Sequence, residues 1–126
     1  MRLWHYKLIK ALPKLQLQGQ WRELVAIWES EPNHILINYV YEYPKENFLK
    51  YAMMVLAELK ARGIRTNSNR LTSYWNQIEM DYSNPFPKHH TKRYLRQCFY
   101  NLQEKYDRGQ KDFDVNRYME IERIAK

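Results

Sequence analysis

The chain has 126 residues, with 21 Lys plus Arg against 14 Asp plus Glu and a formal charge of +7. That length suits one domain over 1–126, able to bury roughly two-thirds of the surface of its unfolded chain. An apolar fraction of 44% and an aromatic fraction of 15% exclude a disordered basic tail, which would be poor in both.

The longest unbroken apolar run covers 52–57, far short of the roughly 20 residues of a membrane span. No basic start followed by an apolar core opens the chain, so no signal peptide is expected. A lone cysteine, Cys98, excludes an internal disulfide and offers no metal cluster, which fits a reducing compartment. The expectation is a soluble, basic, cytoplasmic protein without a membrane partner.

In chain order, the first helix is expected over 13–30. Leu17, Trp21, Leu24, Val25 and Trp28 form one stripe of a 3.6-residue period, with Pro13 in the first turn and Pro32 forcing a stop. The segment 33–43 is apolar too continuously for its period to decide, so strand, buried loop and early helix all stay open. A second helix is expected over 44–62, with Phe48, Ala52, Val55, Leu56 and Leu59 inward and Gly63 as its C-terminal cap.

A shorter helix over 69–80 would turn Leu71, Tyr74, Trp75 and Ile78 inward, and 83–87 reads as a loop. The next helix should run from that loop to about Arg108, on Leu95, Phe99, Leu102 and Tyr106, with Gly109 ending it. Asp114 is placed to cap a last helix bearing Val115, Tyr118, Met119 and Ile121. The fold class is therefore all-α: a compact single-domain bundle of four to five helices, with an irregular connection near 31–43.

The positive charge is uneven. Residues 1–21 carry Arg2, Lys7, Lys10 and Lys14 without an acid, and 84–100 carry Lys88, Lys92, Arg93 and Arg96, again without an acid, beside His89 and His90. Residues 101–126 carry six basic and six acidic side chains and net to zero. Two acid-free clusters are the footprint expected of phosphate-backbone binding; solubilising surface charge is the plain alternative.

The back of the first helix is the most informative feature. Gly19, Arg22, Glu23 and Ala26 fall at i, i+3, i+4 and i+7, opposite the apolar stripe. A mid-helix glycine costs about 1 kcal/mol relative to alanine, and its usual reason is close approach by another backbone or a ligand. This face therefore offers small residues flanking one guanidinium and one carboxylate. A packing glycine beside ordinary solvated charges is the alternative.

Other candidates are weaker. Adjacent His89 and His90 would point about 100° apart on a helix, and His5 and His34 have no ligand-spaced partner, so no metal and no cofactor is expected. Cys98 falls on or beside the stripe of its helix and reads as a buried structural thiol. Tyr6, Tyr100 and Phe86 remain as base-stacking candidates.

With those residues in view, the opening Met1-Arg2-Leu3-Trp4-His5, the run Gln20-Trp21-Arg22-Glu23-Leu24, His34 and the helix end Leu59-Lys60-Ala61-Arg62-Gly63 resemble the pyrimidine dimer DNA glycosylase family over 1–63. The resemblance implies a compact all-α protein of base-excision DNA repair. Such an enzyme flips a nucleotide out of damaged double-stranded DNA, cuts the glycosidic bond and acts as an abasic-site (AP) lyase. It also implies that the chain's own α-amino group attacks the sugar C1′ to give a Schiff base, from which β-elimination releases the 3′ phosphate. An α-amino group suits this because its reference pKa is about 7.7–8.0, against about 10.4 for a lysine.

Carried onto this chain, the resemblance makes Met1 the nucleophile, since Arg2 is too bulky for removal of the initiator. Glu23 becomes the assisting carboxylate, and Arg2 and Arg22 become clamps on the DNA backbone. Lys88, Lys92, Arg93 and Arg96 extend that contact. An N-terminal strand laid against the first helix at Gly19 and Ala26 would bring Met1 near Glu23 and account for the glycine. The rival reading is a non-catalytic nucleic-acid-binding module using the basic clusters at 2–14 and 88–96. A monomer of bacterial or phage type is assumed.

Overall fold

Two prolines set the register of the long helices. In the computed structural model, which describes residues 1–67, 69–75 and 78–126, Pro13 and Pro44 occupy N-cap positions with extended ψ angles of 152° and 149°. Helices α1 (Lys14–Ser30) and α2 (Lys45–Ala61) follow directly, where a residue without an N–H forfeits no helical bond. Glu31 leaves α1 in a left-handed conformation at φ 45°, and Pro32 prevents continuation. Gly63, at φ +72°, closes α2: its N–H reaches the Lys60 carbonyl at 3.0 Å, and the Ile64 N–H reaches that of Leu59 at 2.9 Å.

The α2 stripe is buried as its pattern predicts. That of α1 is rotated from expectation: Leu17, Gln20, Trp21, Leu24 and Ile27 are buried, while Val25 and Trp28 lie at the half-buried margin. A glutamine therefore sits in the middle of an apolar face.

Residues 1–5 are extended and lead into a 3-10 helix, Tyr6–Ala11, which the sequence pattern does not announce. The segment is core, with Leu3, Leu8, Ala11 and Leu12 fully buried. His5 caps the 3-10 helix by accepting the Lys7 N–H on Nδ1 at 3.2 Å. Arg62 holds its far end, donating to the carbonyls of Lys10 and Leu12 at 3.0 and 2.8 Å while paired with Glu58 at 2.8 Å. The 3-10 helix packs on both α2 and the C-terminal helix over 115–125, and α1 packs on α2.

The irregular connection expected near 31–43 is present: 33–43 is a turn followed by a second 3-10 helix, Asn38–Glu42, with Ile37 and Val40 buried and Ile35, Leu36 and Tyr41 exposed. Other expectations need correction. The helix expected over 69–80 is only α3 (Asn69–Thr72), residues 76–77 of that span lying outside the described residues. Tyr74 is exposed yet lies 5.3 Å from the Trp28 ring, and Trp75 meets Trp21 edge-on at 6.5 Å. Consecutive aromatics thus both reach α1, which two neighbours 100° apart on a helix do poorly.

Helix α4 (Lys92–Asp107) starts later than expected, behind the Thr91 cap; the turn before it is closed by the Phe86 carbonyl, which accepts from His89 and His90 N–H at 2.9 and 2.7 Å. Lys88 therefore lies off the helix. Asp114 caps α5 (Val115–Ala125) as expected, but Val115 and Met119 are exposed because Ile121 and Tyr118 form its inward row. No strand occurs among the described residues, and the fold is all-α. No described helix is long and apolar enough to cross a membrane.

Candidate active site

Gln20 organises the site from within the core. Its amide oxygen accepts the Trp4 N–H at 2.8 Å, and its amide nitrogen donates to the Arg2 carbonyl at 3.0 Å and to Glu23 Oε2 at 3.3 Å. The Tyr51 hydroxyl from α2 lies 2.6 Å from the Trp4 carbonyl and 3.0 Å from the Gln20 oxygen, sharing its proton between the two. Tyr51 is completely buried, and desolvation first of all holds its phenol well above the usual range, as a neutral donor. One buried amide therefore fixes the extended N-terminus against α1 and orients the carboxylate one turn further on.

The result is an open cleft of about 320 Å³ in which Met1, Arg2, Gly19, Gln20 and Glu23 meet Asn101 and Lys105 of α4, with Leu36 at its edge. Met1 is 39% exposed and Glu23 half-buried. The N-terminus lies against α1 as expected, but the glycine has a different reason. A Cβ on Gly19 would meet only the Arg22 guanidinium, at an ordinary 3.6 Å, so no backbone crowds it. Gly19 leaves part of the cleft wall bare instead.

The arginines diverge. Arg2 is half-buried at the cleft, its guanidinium 5.9 Å over the Trp4 ring and close to Tyr94 and Cys98. Burial raises the Cys98 thiol despite that neighbour, and Cys98 is fully enclosed, as a structural thiol should be. Arg22 is exposed beside Gly19.

Lys92, Arg93 and Arg96 are exposed on α4, and Lys88 is exposed on the preceding turn. Among the described residues none of these four is in an ion pair. The other basic cluster does not form one surface. Lys7 and Lys10 line a groove with Met54 and Ile124, whereas Arg2 lines the cleft.

His5 and His90 form a neutral scaffold. His90 Nδ1 accepts the Tyr6 N–H at 3.2 Å, and its Nε2 meets the Tyr39 hydroxyl at 2.8 Å. His5 Nε2 donates to the His90 carbonyl at 3.0 Å. Desolvation lowers His5 to about 4 and His90 further still. His90 thus adds no charge to its cluster. Tyr94 ties α4 to the N-terminus by donating to the Leu3 carbonyl at 2.5 Å. Among the described residues no three His, Cys, Asp or Glu side chains are grouped to hold a metal.

Two stacking candidates are withdrawn. Phe86 is fully buried among Tyr39, Tyr43 and His90, and the Tyr6 ring is stacked on His5 at 4.9 Å. Tyr100 stays exposed.

Gln20, Leu36, Asn101 and Lys105 were not foreseen. A polar residue at i+3 in the row Leu17–Gln20–Leu24–Ile27 was a visible signal, and Asn101 and Lys105 share a face by their i, i+4 spacing. Leu36 had none.

No curated protein and no solved structure matches the chain. A family model described as pyrimidine dimer DNA glycosylase matches residues 1–72, which include Met1, Arg2, Gly19, Gln20, Glu23 and Leu36 of the cleft. That match spans more than half of the sequence, and the chain belongs to the pyrimidine dimer DNA glycosylase family.

Proposed function

We propose that the protein is a DNA glycosylase with abasic-site lyase activity, acting on a damaged nucleotide flipped out of duplex DNA into the Met1–Glu23 cleft. The observation that carries this reading is Gln20 bonded at once to the Arg2 carbonyl and to the Glu23 carboxylate, at 3.0 and 3.3 Å. It joins the first residues to Glu23, the only carboxylate lining the cleft among the described residues.

In the proposed reaction the neutral Met1 amine attacks the sugar C1′. The N–C1′ bond forms as the glycosidic bond breaks, and the base leaves with a proton. Ring opening gives the Schiff base. Loss of a C2′ proton then expels the 3′ phosphate by β-elimination. Glu23 accepts and returns protons at the sugar and stabilises the cationic intermediate. Arg2 and Arg22 hold backbone phosphates beside the lesion, and Lys88, Lys92, Arg93 and Arg96 hold the flanking duplex. Lys105, in the cleft wall, adds a cation where the expelled phosphate would depart.

Borohydride trapping with tag-free protein tests this, on duplexes carrying an abasic site or ultraviolet photoproducts. The expected result is a covalent adduct mapped to Met1 and abolished by an N-terminal extension. Salt-sensitive binding without any adduct would assign the protein instead as a non-catalytic DNA-binding module.

A further inference from the structure

We infer that Ile35 and Leu36 form an apolar wedge that enters the base stack of duplex DNA beside the cleft and opens the nucleotide on which the cleft acts. The inference rests on the glycosylase reading for its substrate. The observations behind it are separate.

Ile35 is 87% exposed, the most exposed large apolar side chain among the described residues, and Leu36 beside it is 41% exposed. Leu36 also lines the cleft that holds Met1 and Glu23. The pair is thus continuous with the site, unlike an isolated apolar residue on a surface, which would need no explanation.

The turn that carries them is tightly held. His34 N–H donates to Asn38 Oδ1 at 2.8 Å, Asn38 Nδ2 to Asn33 Oδ1 at 2.8 Å, and Leu36 N–H to His34 Nδ1 at 3.2 Å. Backbone bonds from Ile37 and Asn38 N–H to the His34 carbonyl, both 2.9 Å, close it, and fully buried Ile37 anchors it in the core. Ile35 and Leu36 cannot fold inward while Ile37 does, so the backbone holds them out in water.

Neither side chain can bond to a phosphate or a base edge. What an apolar side chain can do on DNA is fill the gap between parted base pairs, which lowers the cost of unstacking. Flipping a nucleotide requires that unstacking. Lys105 and Asn101 in the cleft wall, and the exposed cations of α4, supply the polar contacts to the backbone that would hold the duplex while the wedge enters.

The test compares wild type with Ile35→Ser, which leaves the cleft lining intact, and, as a conservative control, Ile35→Leu. Each is assayed on an abasic site in a fully paired duplex and on the same site in single-stranded DNA, with 2-aminopurine next to the site in both. The serine variant should lose about 10- to 100-fold in kcat/KM on the duplex, the equivalent of the unstacking cost. It should keep the wild-type rate on the single strand and fail to raise 2-aminopurine fluorescence on binding the duplex. The conservative variant should behave as wild type.

Equal losses on both substrates, or an unchanged duplex rate, would overturn the wedge. If wild type forms no borohydride adduct at all, the amine chemistry fails by itself. The wedge is then judged on fluorescence alone: a rise with wild type and none with the serine variant supports it, and no rise with wild type overturns it.

Discussion

Residues 1–21 and 84–100 each carry four Lys or Arg and no acid, yet they meet solvent in opposite ways. The first stretch is core: Leu3, Trp4, His5, Leu8, Ile9, Ala11 and Leu12 are buried, and its cations are scattered over Arg2 at the cleft and Lys7 and Lys10 on another groove. The second stretch puts Lys92, Arg93 and Arg96 together on the exposed side of one helix, with Lys88 on the turn before it. What separates them is the period of the element. An α-helix one-third buried gathers every third and fourth side chain on a wet face, whereas a buried extended segment followed by a short 3-10 helix disperses them. On the proposed function the first stretch delivers chemistry and the second affinity, and each prediction below tries to separate the two.

The largest effect is expected at the cleft. Glu23→Gln keeps the shape of the side chain and can still meet Gln20, but it cannot exchange a proton. Strand cleavage should fall by about 10²- to 10⁴-fold with duplex affinity nearly unchanged, read by gel cleavage and by binding isotherms on the same duplex. A parallel loss of affinity would mean that the two stretches do not divide the labour.

Next comes pH, because His5 and His90 join the two stretches. Both are neutral when folded, with pKa values depressed below the ordinary 6.5, His5 to about 4 and His90 lower, by burial first of all. The unfolded chain binds their protons and the folded one does not. The stability they contribute is complete above about pH 6.5 and is lost as pH falls towards 4. The loss should reach about 1.4 kcal/mol per pH unit for each histidine. Urea midpoints followed from pH 7 to 4.5 should drop steadily, and His90→Gln should lower the protein's stability at pH 7 but halve the slope. An unaltered slope in that variant would move the acid sensitivity elsewhere.

A smaller effect separates the cations. Arg93→Ala and Arg96→Ala should each weaken binding across all duplex sequences and reduce the salt dependence of log K by about 1. Lys7→Ala and Lys10→Ala should change neither, because those side chains line the groove with Met54 and Ile124. Equal effects from all four would mean that the duplex wraps further than the cleft and the α4 face.

Much of this was legible in the sequence where a local rule decides. Pro13, Pro44, Gly63 and Asp114 mark their helix ends within a residue or so because caps and turns depend on the residue itself. Met1, Arg2 and Glu23 came from the family-like motif, and the structure sets all three in one cleft. Gln20 was visible as a polar break in an apolar row, but its partners, the Arg2 carbonyl and the Trp4 N–H, are backbone atoms 18 and 16 residues away. The part played by Asn101 and Lys105 depends on how α4 crosses the N-terminus, a contact made through Tyr94 and Leu3 that no local pattern encodes. The helix expected over 69–80 failed because Tyr74 and Trp75 pack on Trp28 and Trp21, so aromatic contacts overrode the period.

The smallest predicted change is at Gly19, and it sharpens the comparison most. A methyl there meets nothing closer than the Arg22 guanidinium at 3.6 Å, the tip of an exposed side chain able to move aside. Alanine also removes the helix penalty of glycine, so Gly19→Ala should stabilise the protein by about 0.5–1 kcal/mol in urea titrations. The fold therefore gives no reason for glycine at this position. The cleft does, because Gly19 lines it together with Gln16 and Glu23, where on the proposed function a flipped sugar would lie. KM on an abasic duplex should rise while affinity for undamaged duplex, held by α4, stays constant. A stabilised variant with unchanged KM would show that the sugar seats elsewhere, and would remove Gly19 from the site while leaving Glu23 in it.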